Sequence, residues 1–157
     1  MNARLSLFES PVAAKSIKHI VAAGRVVNDS TLPLATQELM RLRASQINGC
    51  GFCTDMHTKE AEAAGETSQR LHMVAAWREA TVFTDAERAA LELTEEATRI
   101  ADAAGGVSDE VWANAAKHYD DEQLGAMIAL IAVINAFNRV NVIVAQPAGD
   151  YRAGQFG

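Results

Sequence analysis

Apolar positions along the chain recur mostly at helical spacing, and nearly every interval between them carries a helix start or stop signal. Ser10-Pro11 pairs an N-cap with a proline at the first helical position, predicting a helix over about 11–26. Its apolar positions Val12, Ile17, Ile20 and Val21 form an imperfect stripe. After a turn at Asn28–Thr31, Leu32-Pro33 opens a second helix carrying Leu34, Leu39, Leu42 and, near its end, Ile47. Asn48-Gly49 breaks that helix just before Cys50, and a third is expected from about Cys50 to Ala64, stopped by Gly65. The next, about 68–78, turns Leu71, Val74, Ala75 and Trp77 inward. Thr84-Asp85-Ala86-Glu87 is a capping box for a helix to about Ala104, ended by Gly105-Gly106. Ser108 caps a short helix through Ala115, and Asp120-Asp121 opens the last one.

That last helix is apolar almost all round, through Leu124, Met127, Ile128, Leu130, Ile131, Val133, Ile134 and Phe137. A helix without a wet face is central, or another subunit covers it. β-branching alone would allow a strand at Val140–Val144, but the stretch reads as the frayed end of the helix. From Pro147 the chain is small and glycine-rich, and a loose tail is expected. No repeat, low-complexity tract or linker interrupts the 157 residues, a length that fits one domain with its core over about 5–145. Thirty alanines and three prolines agree with an all-α fold.

Charge narrows the function classes. Fourteen basic against twenty acidic side chains leave −6, which argues against a nucleic-acid or anionic-membrane surface. The apolar run from Leu124 to Ala145 is broken by Asn135, Asn138, Arg139 and Asn141. Its uncharged part is shorter than the ~20 residues a bilayer requires, so no membrane span is expected. The start, MNARLSLFES, has neither a basic leader with an apolar core nor a cleavage site, and the expected compartment is the cytoplasm.

The chemistry concentrates in one stretch. Cys50-Gly51-Phe52-Cys53 lies at a helix start, with His57 four residues further on. Thiols at i and i+3 on a first helical turn share one side and lie close enough to bond. Free N–H groups and the positive helix end favour thiolate there, below the usual ~8.5. His57, one turn beyond Cys53, can accept or pass on its proton. Cys50, ahead of the helix body, is expected to be the more exposed of the two.

Two other readings compete. Inert core thiols are hard to reconcile with an Asn-Gly-Cys-Gly setting. A zinc site would take Cys50, Cys53 and His57, but a closed tetrahedron needs a fourth ligand from His19, His72 or Asp55, and there is no second cysteine pair. His19, His72 and His118 read as surface or helix-end histidines. Glu38, among Leu34, Leu39 and Leu42, is open between two roles: a solvated carboxylate, or a buried one beside His57 whose raised pKa makes it a proton acceptor. Asn135 and Asn138, one turn apart on an apolar helix, need partners and are read as structural, with Arg139 pairing to a carboxylate nearby.

Glu38, Cys50-x-x-Cys53 and His57 together resemble the AhpD-like (alkylhydroperoxidase) branch of the carboxymuconolactone decarboxylase superfamily. The likeness runs through Leu39–Cys50, Asp55–Lys59, Ala64–Glu66, Trp77–Glu79 and Glu87–Leu91 to Asn135–Arg139, covering roughly 5–145. It implies an all-helical homo-oligomer, a trimer or a hexamer, and a thiol peroxidase or disulfide oxidoreductase without cofactor or metal. Cys53 would attack a hydroperoxide and Cys50 would resolve the sulfenic acid to a disulfide. Glu38 and His57 would form the proton relay, and a dithiol or lipoyl-bearing partner would be the reductant.

Two departures stand out. Well-studied alkylhydroperoxidases carry a histidine where this chain has Phe52, which implies a slower peroxidase or a more apolar substrate. They also carry a second helical region at the N-terminus. The decarboxylase branch lacks the cysteine pair, so lactone decarboxylation is not the activity the resemblance implies. A helical protein using the pair as a redox sensor or metal clip is the alternative to an enzyme.

Overall fold

Local capping chemistry sets the helix starts in the computed structural model, which describes residues 2–156. Among those residues there are seven α-helices and no strand. They are α1 (Pro11–Asn28), α2 (Leu34–Ile47), α3 (Gly51–Ala63), α4 (Ser68–Met73, running on as a 3₁₀ turn to Ala76), α5 (Asp85–Thr98), α6 (Asp109–Ala115) and α7 (Asp121–Val144). Ser10, Thr84, Ser108 and Asp120 each accept a backbone N–H at the N-cap, and Thr84 with Glu87 and Asp120 with Gln123 form reciprocal boxes.

The central element is α2. Eight of its fourteen residues are buried, from Thr36 to Ser45, and it packs against α3, α5 and α7. One side of it joins the core of Met40, Ala44, Leu93, Met127 and Leu130, and the other joins Leu39, Leu42, Leu71, Trp77 and Leu91. A helix wedged between two apolar clusters has no dry stripe and wet stripe, so periodicity alone misplaces some positions. Leu34, expected inward, is 53% exposed, and Ala75 is exposed too.

Three expectations are corrected by packing. Helix α5 ends at Thr98 rather than Ala104, because the next apolar residue, Ile100, is 61% exposed and has no core to bury in. The face of α7 bearing Leu124, Met127, Leu130, Ile131 and Ile134 is buried, but Gly125, Ile128 and Ala132 on the opposite strip are exposed. Its Val140–Val144 segment is regular helix, closed by Ala145 in the left-handed region at φ 53°. By length and composition α7 is long and apolar enough to cross a membrane, and 33% of its most apolar stretch is buried within the chain. The tail is not loose. It folds back along α3 through the contacts described below.

Glu95 ties α5 to two other elements. It accepts from Arg43 Nε at 2.6 Å and Trp77 Nε1 at 3.0 Å, and pairs with Arg78. Burial pushes its carboxyl pKa up, but the Arg78, Trp77 and Arg43 donors outweigh that and hold it below the ordinary value. Glu95→Ala leaves the Arg43 cation, on a side chain only 13% exposed, without its carboxylate. The expected loss is about 3 kcal/mol in urea unfolding at neutral pH, the lower end for a broken buried pair. In the wild type this contribution is complete above the unfolded value of ~4.3 and is lost as pH falls through the lower folded one.

Candidate active site

The turn between α2 and α3 places the sulfurs. Gly49 sits at φ 64°, which a glycine adopts without strain, and the Cys50 N–H donates to Ser45 O at 3.0 Å. Asn48 Nδ2 donates to Asn135 Oδ1 (3.0 Å) and Asn138 Oδ1 (2.8 Å), while Asn138 Nδ2 donates to Ser45 Oγ (3.1 Å). Asn135 also donates to Thr98 Oγ1 and Ile131 O. These two asparagines thus bolt the turn to α7. Arg139 instead donates back to Asn135.

Cys50 is the N-cap of α3, its Sγ accepting the Cys53 N–H at 3.3 Å. To do so its side chain turns inward, so Cys50 and Cys53 are equally buried at 1% exposure. The expectation that Cys50 is the more exposed is therefore corrected. Both are free thiols, with Sγ atoms 2.7 Å apart. On the far side of Cys53, Asn141 Nδ2 donates to its sulfur at 3.3 Å.

Glu38 is buried at 6% exposure and His57 likewise. His57 Nδ1 lies 2.8 Å from Glu38 Oε2, and Arg41 donates to Glu38 Oε1 at 2.5 Å. The buried alternative therefore describes Glu38, but its titration runs opposite to expectation. Burial raises its pKa, yet the hydrogen bond and charge of His57, then the Arg41 guanidinium, overcome this and leave it lowered. An ionised Glu38 fixes the ring by accepting from Nδ1, which leaves Nε2 for other work. Among the described residues His57 makes no hydrogen bond to either sulfur. A surface cleft of about 260 Å³, lined by Leu34, Ala35, Ala61 and Arg70, reaches Glu38 from outside.

The two thiols are driven apart in acidity. For Cys53 the hydrogen bond from Cys50 lowers the pKa most; burial opposes it, and the amides of Asn141 and Asn138 and the charge of His57 add to the lowering. For Cys50 the hydrogen bond to Cys53 raises the pKa most, followed by burial and by the neighbouring thiolate charge. Of the two, Cys53 is the thiol whose ionised form is favoured.

The tail covers the adjoining face of α3. Lys59 Nζ donates to Asp55 and to Gly149 O and Tyr151 O, the latter two at 2.9 Å, while Gly149 N–H donates to Asp55 Oδ2 at 3.0 Å. Tyr151 OH bonds Glu60, and its ring stands edge-on to Phe52 with centroids 6.2 Å apart; Phe156 packs on both. Asp55 is thus committed to the tail. His19, His72 and His118 are exposed, and no three His, Cys, Asp or Glu side chains among the described residues are grouped to hold a metal.

Sequence reasoning missed Asn141 as a neighbour of the thiols. The available signal was its place on the same face as Asn138, one turn on, in a helix with little reason to carry amides.

Residues 18–96 match the carboxymuconolactone decarboxylase family. The chain is 36% identical over 150 residues to the uncharacterized protein YdfG of Bacillus subtilis, covering 96% of this chain and 99% of that one. It is also similar to Atu0492 of Agrobacterium tumefaciens, a protein of unknown function described as a candidate antioxidant defence protein AhpD. That crystal structure superposes with a TM-score of 0.87 at 32% identity, over 96% of this chain and 100% of that one. An uncharacterized peroxidase-related protein from Silicibacter sp. TM1040 shares the fold, with a TM-score of 0.74 at 19% identity over 92% of this chain and 75% of that one. The extent of the YdfG and Atu0492 matches, together with the family match, places the chain in the carboxymuconolactone decarboxylase family, in its AhpD-like branch.

Proposed function

We propose that the protein is a thiol-dependent peroxidase that reduces organic hydroperoxides through Cys50 and Cys53, with Glu38 and His57 as its proton relay. The observation that carries this reading is the setting of Cys53. Its sulfur has a thiol donor on one side and an amide donor on the other, next to a buried carboxylate–histidine pair.

The Cys53 thiolate attacks the terminal oxygen of the hydroperoxide, so an S–O bond forms and the O–O bond breaks. The leaving alkoxide takes a proton, relayed from His57 through water, and departs as the alcohol. Cys50 then attacks the Cys53 sulfenic sulfur, forming the disulfide, and its own proton leaves with the displaced hydroxide as water. An external dithiol, of the lipoyl kind or another, returns two electrons and two protons. The aromatic cluster of Phe52, which lies between the two cysteines in sequence, with Tyr151 and Phe156 is consistent with an apolar peroxide substituent.

The same reading includes assembly into a homo-oligomer, a trimer or hexamer, in the cytoplasm. It is supported by Val12 and Val26 on α1 and Ile128, Val142 and Ile143 on α7, all exposed.

The test is steady-state consumption of cumene and tert-butyl hydroperoxides with several dithiol donors, with intact mass measured after one equivalent of peroxide. Turnover with at least one donor and a mass loss of about 2 Da support the proposal. A single oxidation without turnover returns the redox-sensor reading. Light scattering of the same sample should give a multiple of the 16.8 kDa chain, and a monomer would sink the assembly.

A further inference from the structure

We propose that Asn141 is a catalytic residue whose side-chain amide donates to Cys53 Sγ and holds the thiolate in place for attack. The inference rests on the reading of Cys53 as the reacting sulfur.

The donor inventory around that sulfur is short. The Cys53 backbone N–H is already given to Cys50 Sγ, and the preceding residue, Phe52, has no side-chain donor. His57 makes no hydrogen bond to the sulfur among the described residues. What remains is the Cys50 thiol, Asn141 Nδ2 at 3.3 Å and, as a lesser influence, the Asn138 amide. The other two amides on this face of α7 are engaged elsewhere, Asn138 with Ser45 and Asn48, and Asn135 with Thr98 and Asn48. Among the described residues, Asn141 is the amide whose side-chain hydrogen bond is to the sulfur alone.

Its placement is also built rather than incidental. Asn141 lies one turn before the end of α7, where helices fray. Here the last turn is closed by Ala145 in the left-handed region, and the Gln146 N–H donates to Asn141 O at 2.9 Å. The carboxamide is thereby held at a fixed depth against α3.

Chemically, an N–H donor stabilises a thiolate far more than a thiol, so it favours the ionised form. A carboxamide is neutral and does not titrate. Its effect persists whatever the protonation of the other groups facing the sulfur, which are Cys50 at the N-cap of α3, His57 on α3 and, behind His57, Glu38 on α2. Once the peroxide has been split, Cys50 still has to reach the sulfenic sulfur, and the same amide keeps that atom within reach.

The test uses the full-length protein and follows iodoacetamide alkylation of Cys53 against pH, resolved from Cys50 by fragment mass spectrometry. Two variants are compared with the wild type, Asn141→Ala, which removes the donor, and the isosteric Asn141→Asp, which replaces it with an anion. Asn141→Ala should raise the Cys53 midpoint by about one pH unit, a roughly tenfold loss of thiolate below that midpoint. Asn141→Asp should raise it further, and both rates should approach the wild-type rate at high pH. Circular dichroism establishes that each variant is folded, and the Asp variant preserves the volume should the Ala variant fail. If folded variants melt earlier while the midpoint stays where it was, Asn141 is a packing residue and the proposal is overturned. The readout does not need turnover. A raised midpoint in the variants of a protein that consumes no peroxide would sustain the role of Asn141 and remove the peroxidase reading alone.

Discussion

Cys53→Ser is expected to bring peroxide consumption down to the rate of buffer with donor alone, since a serine hydroxyl at neutral pH is un-ionised and a poor nucleophile toward the O–O bond. Cys50→Ser should behave differently. It retains the attacking sulfur but has no second thiol, so one equivalent of peroxide is consumed and the enzyme stalls as the sulfenic acid, which a dimedone adduct reports. The variant should also attack more slowly. The Cys50 thiol is the largest influence lowering the Cys53 pKa, and a serine hydroxyl is a different donor at a different distance. Equal loss of the first turnover in both variants would assign attack and resolution to no particular sulfur. A single-equivalent burst from Cys53→Ser would reverse the assignment.

The second large effect is expected from the relay. Glu38→Gln keeps shape and hydrogen bonding nearly intact while removing the carboxylate that His57 Nδ1 meets at 2.8 Å. If His57 moves protons for the reaction, kcat/KM should fall on the order of 10- to 1000-fold at neutral pH, the range for lost acid–base help. Partial recovery is expected as pH rises and the thiol ionises unaided. In the wild type, Glu38 is held below the ordinary carboxylate value, so it stays ionised throughout the neutral range. Its contribution is lost only as pH falls through that lowered value. His57→Gln should resemble Glu38→Gln, and the double variant should add little, because groups acting as one unit are not additive. A change of less than about twofold in Glu38→Gln, without recovery at high pH, would leave the thiol pair as the whole of the catalytic assignment.

What could be read in the sequence is what is local. Ser10, Thr84, Ser108 and Asp120 announce their helices because a cap is satisfied by residues three positions away. The Cys50–Cys53–His57 spacing is likewise legible, since one helix carries all of it. Glu38 was ambiguous because its partner His57 is 19 residues distant and on another helix. Once the partner is known, the sign of its shift follows from the His57 and Arg41 contacts against burial. Asn141 reaches Cys53 across 88 residues, and the tail contacts Lys59 across 90 and more, distances over which a periodic pattern says nothing. The overlong estimate for α5 has the same origin, because a helix continues only where its next apolar residue finds a core, and Ile100 finds none.

The position of both sulfurs on one turn of α3 bears on how the fold responds to its own redox state. A bond between Cys50 and Cys53 would close a loop of only four residues, and the chain entropy removed from the unfolded ensemble by so small a ring is worth about 2 kcal/mol, against ~4.7 kcal/mol for a hundred-residue loop. The residues it would join are already held in register by the Cys53 N–H on Cys50 Sγ and by the Asn48 clamp on α7. Oxidation therefore asks little of the rest of the molecule. The helices stand without the crosslink, and if the pair is the redox couple proposed above, its making and breaking would be a local event at the start of α3.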